Sequence, residues 1–381
     1  MRNPSNCKDK SKIVDYGPLG FSMQGEFRMG LVLNGEKVDY IELEFGYKHF
    51  GIEKIIEKSN LYENLLLMQR IGGTLSFCYA LTFLRGLERI TRTLPTEKDE
   101  CLRAIICEGE RIVSHLVNIA KIIKLTGLEF VFFEVLRFRN NFFKMYQNLF
   151  GKRVFPNFLI FGGERYDVLS ETLHNFFTFL KQAESIIAEI NTVMANIIFK
   201  KRTVDVGIIS KDLVINYSLS GPNARASGVD YDIRKINKGS IYNKIQFQIP
   251  LCTAGDVYCR CCIRIEEIHQ SLSIIQQLIV LFKSWSGIKN QPAEASLRVD
   301  YDMIDLRKYE IAQHYEAEES PRGELGFYFV TNATNRLYRC KINGASLNTV
   351  QIVEEICQNV MAADIGVIVK SLDLLVSEVD R

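Results

Sequence analysis

Helical periodicity is the strongest constraint on what this chain can fold into. From His49 to about Ala195, apolar residues recur at three-to-four spacing through IEKIIEK, ERIVSHLVNIAKIIKL and ETLHNFFTFLKQAESIIAEINTVMANII. Such spacing lines one stripe of a helix with apolar side chains, and successive stretches bury their stripes against one another as a bundle. After a glycine- and proline-punctuated section from 202 to 250, which reads as loops held against the bundle, GDVYCRCCIRIEEIHQSLSIIQQLIVLF resumes a long amphipathic helix. Two stretches have a strand period instead. EFRMGLVLNGEKVDYIELEFG alternates around Asn34-Gly35, a two-residue hairpin signal, and GELGFYFVTNATNRLYRCKIN reads as a second hairpin followed by two shorter helical stretches. The expected fold class is α+β, mainly helical, with N-terminal and C-terminal β-hairpins. The expected organisation is a polar leader (1–15), an N-terminal β-hairpin region (16–48) and a helical bundle (49–200). A loop, long helix and C-terminal hairpin region (201–381) packs with the bundle as one globular unit.

Composition narrows the function classes. A chain of 381 residues with 47% hydrophobic content is long enough to bury a full core. Its 47 basic and 45 acidic residues nearly cancel, so no basic footprint for nucleic acid is expected. No run of 18 apolar residues predicts a membrane span, and MRNPSNCKDKSK lacks the apolar core of a secretory signal. Ten irregularly spaced cysteines predict reduced thiols rather than a disulfide scaffold.

Few local motifs carry chemistry by themselves. Cys259, Cys261 and Cys262 in YCRCCIR are too close together to converge on one metal, because neighbouring side chains on a helix point about 100 degrees apart. Buried thiols are expected there, and no metal site. His115 and Arg111 share a helical face in ERIVSHLV, and Glu266-Glu267 reads as a solvated face or an ion-pair partner. SGPNARASGVDYDIRK combines two glycines, a proline and a dense polar exit, the composition of a rigid loop kept for docking, catalysis or a structural turn. The adjacent Gly72 and Gly73 in RIGGTLSFCYA interrupt a helix-compatible run at a cost of roughly 1 kcal/mol each relative to alanine.

GPNARASGVDYDIRK, FQIPLCTAGDVYCRCCIRIEEIHQSLSII, TNATNRLYRCKI and the terminal SLDLLVSEVDR, in this order, resemble the D-subunit family of respiratory complex I, NADH:quinone oxidoreductase. That family lies within the wider NiFe-hydrogenase large-subunit family, so the resemblance implies a hydrogenase large-subunit-like helical bundle. The likeness runs from about Tyr16 to Arg381. GEKVDYIELEFGYKHFGIEKI resembles a segment ending in GYxHRGxEK, keeping Gly46, Tyr47, His49, Gly51, Glu53 and Lys54, with Phe50 in place of arginine. A hydrogenase would carry RICGIC where this chain has Gly72 and Leu75, and a second CxxC near the C-terminus, where only Cys340 and Cys357 stand. A four-thiolate nickel–iron site therefore cannot be assembled.

The resemblance also implies where a quinone headgroup would sit. The family's headgroup tyrosine falls at Gly73. Two histidines of its N-terminal GPQHPAAHG loop fall at Gly20 and Gln24, and the aspartate paired with the headgroup histidine falls at Leu125. His115, with Arg111 and His49, is implied to lie near the terminal iron–sulfur cluster of the neighbouring B subunit. Gly221, Pro222, Arg225, Gly228, Asp232, Arg234 and Arg381 belong to the motifs implied to serve docking or structure. No residue is assigned as catalytic.

The implied activity is that of a non-autonomous component which, with the iron–sulfur B subunit, encloses the chamber where electrons from NADH reach quinone. Flavin and iron–sulfur clusters would be held by partners, and none by this chain alone. The implied partners are the B and C subunits, the membrane-arm H subunit and quinone, on the cytoplasmic face of a bacterial inner membrane or the mitochondrial matrix face. Loss of the histidine, tyrosine and aspartate supports a second reading, a diverged paralogue that serves assembly without catalysis. Gln24 can donate a hydrogen bond but no proton near neutral pH, and Gly73 and Leu125 can donate neither.

Overall fold

A computed structural model describes residues 13–18, 27–237, 239–286, 304–309 and 312–381. Gly20 and Gln24 lie outside these residues. The chain begins with a three-stranded antiparallel sheet of β1 (Ile13–Tyr16), β2 (Arg28–Asn34) and β3 (Lys37–Glu44). The hairpin expected around Asn34-Gly35 is present one residue later, because Asn34 pairs with Lys37 and the two-residue loop is Gly35-Glu36. Gly35, at φ 65°, takes the first loop position, where a type II′ turn requires a positive angle. The sheet also reaches back to Ile13, within the expected polar leader.

Eight helices follow: α1 (Ile52–Lys58), α2 (Leu61–Gly72), α3 (Ser76–Thr91), α4 (Glu97–Leu125), α5 (Phe130–Phe150), α6 (Ser170–Leu180), α7 (Ala183–Met194) and α8 (Ile197–Thr203). A two-residue strand pair, β4 (Leu159–Ile160) and β5 (Gly163–Glu164), interrupts them. Local chemistry fixes the starts of two helices. Asn60 with Glu63 opens α2 and Thr96 with Asp99 opens α4, each as a reciprocal capping box. Where loops were expected, short helices α9 (Lys211–Asn216), α10 (Gly221–Arg225) and α11 (Ile233–Ile236) line the chain before α12 (Val257–Ser286).

The second sheet also has one strand more than the expected hairpin: β6 (Gln313–Ser320), β7 (Gly323–Thr331) and β8 (Leu337–Asn343). Phe327 and Phe329 on β7 meet Phe83 of α3 edge-on, with centroids 5.7 and 5.4 Å apart. Helices α13 (Ala345–Thr349), α14 (Val353–Ile356), α15 (Ile365–Ser371) and α16 (Val376–Val379) complete the chain.

The centre of the molecule is the pair α4 and α12. Cys101 Sγ bonds the Leu278 carbonyl, Glu108 bonds Ser271 and His115 bonds Glu267, so positions rising along α4 meet positions falling along α12. The two helices are antiparallel. Most of α4 from Cys101 to Ile123 is buried on every side, as a helix packed all round must be. No helix among the described residues is long and apolar enough to cross a membrane. The expectation of reduced thiols is corrected at one place, where the sulfurs of Cys252 and Cys259 are joined. The other described cysteines are free thiols, and no metal-holding cluster of His, Cys, Asp or Glu occurs among the described residues.

Candidate functional site

Helix α4 carries a polar stripe through its apolar body. Glu108, Arg111, His115, Asn118 and Lys121 follow one another at three or four residues and therefore lie along one face, which the apolar Leu125 continues to the end of the helix. At about 1.5 Å per residue this face is roughly 25 Å long. Helix α12 answers it with Arg260, Arg264, Glu267 and Ser271 at the same spacing. Polar residues repeating at helical period inside otherwise apolar helices are a sequence signal of a buried ionic seam, and the sequence reading passed over it. Glu267 is a buried ion-pair partner, whereas Glu266 is exposed.

At the deep end of the stripe the charges form a closed network. Glu108 pairs with Arg111 at 3.1 Å and Arg234 at 3.1 Å, and accepts from Tyr242 and Ser271. Arg225 reaches Glu267 and Glu319, each at 2.8 Å, while Asp232 holds Arg234 at 2.6 Å. Arg111 also donates to the carbonyls of Glu319 and Ser320. Burial works against ionising Glu108, but Arg111, Arg234 and the two hydroxyl donors outweigh it and hold the carboxyl down at about 2. Asp232 is likewise held at about 2, burial being overcome by Arg234 and then Arg225.

The network contains four carboxyl groups (Glu108, Asp232, Glu267, Glu319), three guanidinium groups (Arg111, Arg225, Arg234) and one imidazole (His115). Burial pushes His115 down despite its bond to Glu267, and burial together with Asp232 pushes Glu319 up. His115 is thus a neutral ring that donates from Nε2 to Glu267 at 2.8 Å.

These contacts relocate several residues singled out in the sequence. His115 has no exposed surface and Arg111 is 1% exposed, so both lie beneath the surface of the chain. Of the three residues expected near a partner's cluster, only His49 is exposed, and its Nδ1 lies 2.8 Å from the Asp380 carbonyl. Gly221, Pro222, Arg225, Asp232 and Arg234 are buried, and Gly228 is in the left-handed region at φ 78°. The SGPNARASGVDYDIRK segment is thus an internal brace that carries two guanidinium groups into the network. Arg381, half-buried, bonds the Ile342 carbonyl and lies 3.3 Å from Glu53.

Further along the stripe, α4 meets the end of α15. Four successive carbonyls there each accept from a different element: Lys370 from Asn118, Ser371 from Arg264, Leu372 from Asn223 and Asp373 from Arg322. A helix end leaves such carbonyls without partners of its own, so buried side chains must supply donors. Beyond this clamp, Ser377 bonds the Ile71 carbonyl and Tyr79 bonds Glu378. The segment 370–378 is therefore strung from Asn118 and Lys121 on α4 to the corner between α2 and α3.

That corner explains the paired glycines. A Cβ on Gly72 would stand 2.7 Å from the Tyr79 ring, and Gly73 ends α2 at φ 60°. Gly73 is exposed, with nothing within 4 Å of where its Cβ would be. Beside it the Arg70 guanidinium lies 5.6 Å over the Phe155 ring, a contact that the sequence reading missed. Leu125 is half-buried at the last turn of α4.

Comparisons with known proteins place the chain in a family. The family described as "Respiratory-chain NADH dehydrogenase, 49 Kd subunit" matches residues 126–381. The NADH-quinone oxidoreductase D subunit of Dehalococcoides mccartyi (strain ATCC BAA-2100 / JCM 16839 / KCTC 5957 / BAV1) is 31% identical over 98% of this chain and 99% of its own length. The corresponding D subunit of Ehrlichia chaffeensis is 29% identical over 97% of each chain. The NADH-quinone oxidoreductase C/D 2 subunit of Aquifex aeolicus is 32% identical over 99% of this chain and 68% of that longer protein. With a near full-length match and the family model covering two thirds of its residues, this chain belongs to the D-subunit family of NADH-quinone oxidoreductase, the 49 Kd subunit of respiratory-chain NADH dehydrogenase.

Proposed function

We propose that the chain forms one wall of the quinone-reduction chamber of NADH:quinone oxidoreductase, opposite the iron–sulfur B subunit. The observation that carries this reading is the exposed α2–α3 corner at Gly73, joined to the end of α4 by the segment 370–378. It is an exposed edge of the chain, with Gly73 open to solvent. Electrons pass from NADH through flavin and iron–sulfur clusters held by partners, and quinone is the acceptor. The C subunit is a neighbour, a reading supported by the fused C/D relative, and the membrane-arm H subunit lies beneath. The chain then sits peripherally at the membrane, on the cytoplasmic or matrix face.

Within this reading His115 acts from inside, as the neutral member of the network that holds α4 against α12. His49, exposed and tied to Asp380, is the histidine able to face the partner's cluster. The decisive experiment replaces the D subunit of a working complex with this chain and measures NADH-dependent quinone reduction. Turnover in the assembled complex is expected. Assembly with no quinone reduction would overturn the reading in favour of a purely structural role.

A further inference from the structure

Where α3 turns into α4 against β6, the chain surrounds a cavity of about 180 Å³. Its wall carries Glu97 and Glu100 from the first turn of α4 and Glu316 and Glu318 from β6. Leu94 and Pro95, which join the two helices, give the wall an apolar part together with Ile241. Glu316 and Glu318 stand two residues apart on a strand, so both side chains leave the same face of β6. Burial disfavours such a pair of carboxylates unless cations and hydrogen-bond donors serve their oxygens.

The chain's own cations serve these carboxylates unevenly. Arg85 bonds one oxygen of Glu100 and one of Glu318, and the fully buried Arg103 reaches the other oxygen of Glu100 at 3.4 Å. Lys244 and Glu97, both exposed, pair at 2.6 Å on the rim. Glu316 is only 7% exposed and has weaker company, with His314 Nε2 at 2.8 Å and Arg89 Nε at 4.0 Å, both on Oε2. Among the described residues, Oε1 of Glu316 and Oε2 of Glu318 have no partner, and both residues line the cavity.

We propose that this cavity binds an organic cation, an ammonium or guanidinium group carried on an aliphatic stem. The head donates N–H bonds to the free oxygens of Glu316 and Glu318, and hydrogen bonds of this charge-assisted kind are the strong ones. The stem lies against Leu94, Pro95 and Ile241, which a bare inorganic cation would leave unused. An anion would meet four carboxylates. Two sources carry the same chemistry: a lysine or arginine side chain of a neighbouring subunit, and a free alkylamine or polyamine. The site does not depend on the chamber reading.

Isothermal titration calorimetry of the full chain with n-butylguanidinium chloride tests the site, with n-butanol as the control for the stem and potassium chloride as the control for the charge. One saturable site for n-butylguanidinium, and none for either control, is expected. Glu316→Gln should weaken binding about tenfold, the loss of one hydrogen bond between charged groups. Lys244→Gln, at an exposed position, removes a competing cation from the rim and should tighten binding about two- to fivefold. If Glu316→Gln does not fold, Lys244→Gln decides. The assembled complex separates the sources. A site that still takes n-butylguanidinium there belongs to a free cation, whereas one open in the isolated chain and closed in the complex holds a neighbour's basic side chain. No saturable binding to the isolated chain, equal uptake of potassium or n-butanol, or an affinity unchanged by these substitutions would overturn the proposal.

Discussion

Gly72 and Gly73 stand side by side for different reasons, and single substitutions separate them. Gly72 is helical but packed against Tyr79, so Gly72→Ala forces the ring to move and should cost about 1–3 kcal/mol. Gly73 has room but a positive φ of 60° with ψ −102°, outside the regions open to L-residues, so Gly73→Ala should cost about 1–3 kcal/mol through backbone strain alone. Denaturant midpoints of the two variants, together with Gly72→Ala in a Tyr79→Ala background, distinguish the causes. Relief of the Gly72→Ala penalty by Tyr79→Ala is expected, and Gly73→Ala should be indifferent to it. A second contrast of the same kind concerns Glu267, which serves both His115 and Arg225. Glu267→Ala leaves a buried guanidinium short of its carboxylate and should cost about 3–5 kcal/mol, far more than an exposed change such as Glu266→Ala.

At the scale of elements, the C-terminus acts as a clasp for the first sheet. The Asp380 carboxylate accepts the amides of Gly46 and Lys48, both at 2.8 Å, across more than 330 residues of sequence. Asp380→Ala should therefore speed hydrogen exchange at the Gly46 and Lys48 amides by tenfold or more, since two bonds to a charged acceptor are lost, while α4 amides keep their protection. Unchanged exchange at Gly46 would mean that the loop is held by something else. This clasp also shows the limit of sequence reading. The long helices were legible because their periodicity is local, and both hairpins because turn chemistry is local. The third strand of each sheet was missed: Ile13–Tyr16 is mostly exposed and carries no clear alternation, and Gln313–Ser320 is rich in charge. The site was less legible still. His115 and Glu267 are 152 residues apart and Asn118 and Lys370 are 252 apart, and nothing in a single sequence pairs them. Family resemblance marked Gly73, Leu125 and His115 as positions, but the complete burial of His115 and its bond to Glu267 are legible only in the packed structure.

For the whole molecule, a net charge of +2 conceals a strongly ionic interior, and that interior should set how stability responds to acid. Glu108 and Asp232 lie at about 2 in the folded chain against ordinary values of 4.5 and 3.8, and Glu267 is depressed as well. A carboxyl depressed on folding stabilises the native state above its unfolded value, and that stabilisation is lost as pH falls through the folded value. The window is therefore about pH 5 down to about 2, with each unit of depression worth about 1.4 kcal/mol. Glu319, raised by burial and Asp232, opposes this with the opposite sign, since its ionisation above the ordinary range weakens the fold. Within this network three depressed groups against one raised group favour acid lability, while Glu110 and Glu378, each raised by burial to about 7, act with the opposite sign elsewhere in the core. Glu108→Gln separates this from general acid denaturation. At pH 7 the amide leaves Arg111 and Arg234 without their shared carboxylate, and the variant should be about 3–5 kcal/mol less stable than wild type. As pH falls from 5 toward 2 the wild-type carboxyl becomes protonated and the gap should close. Urea midpoints measured for both chains across that range check it: parallel curves would remove Glu108 from the acid response, and convergence would fix the buried network as its source.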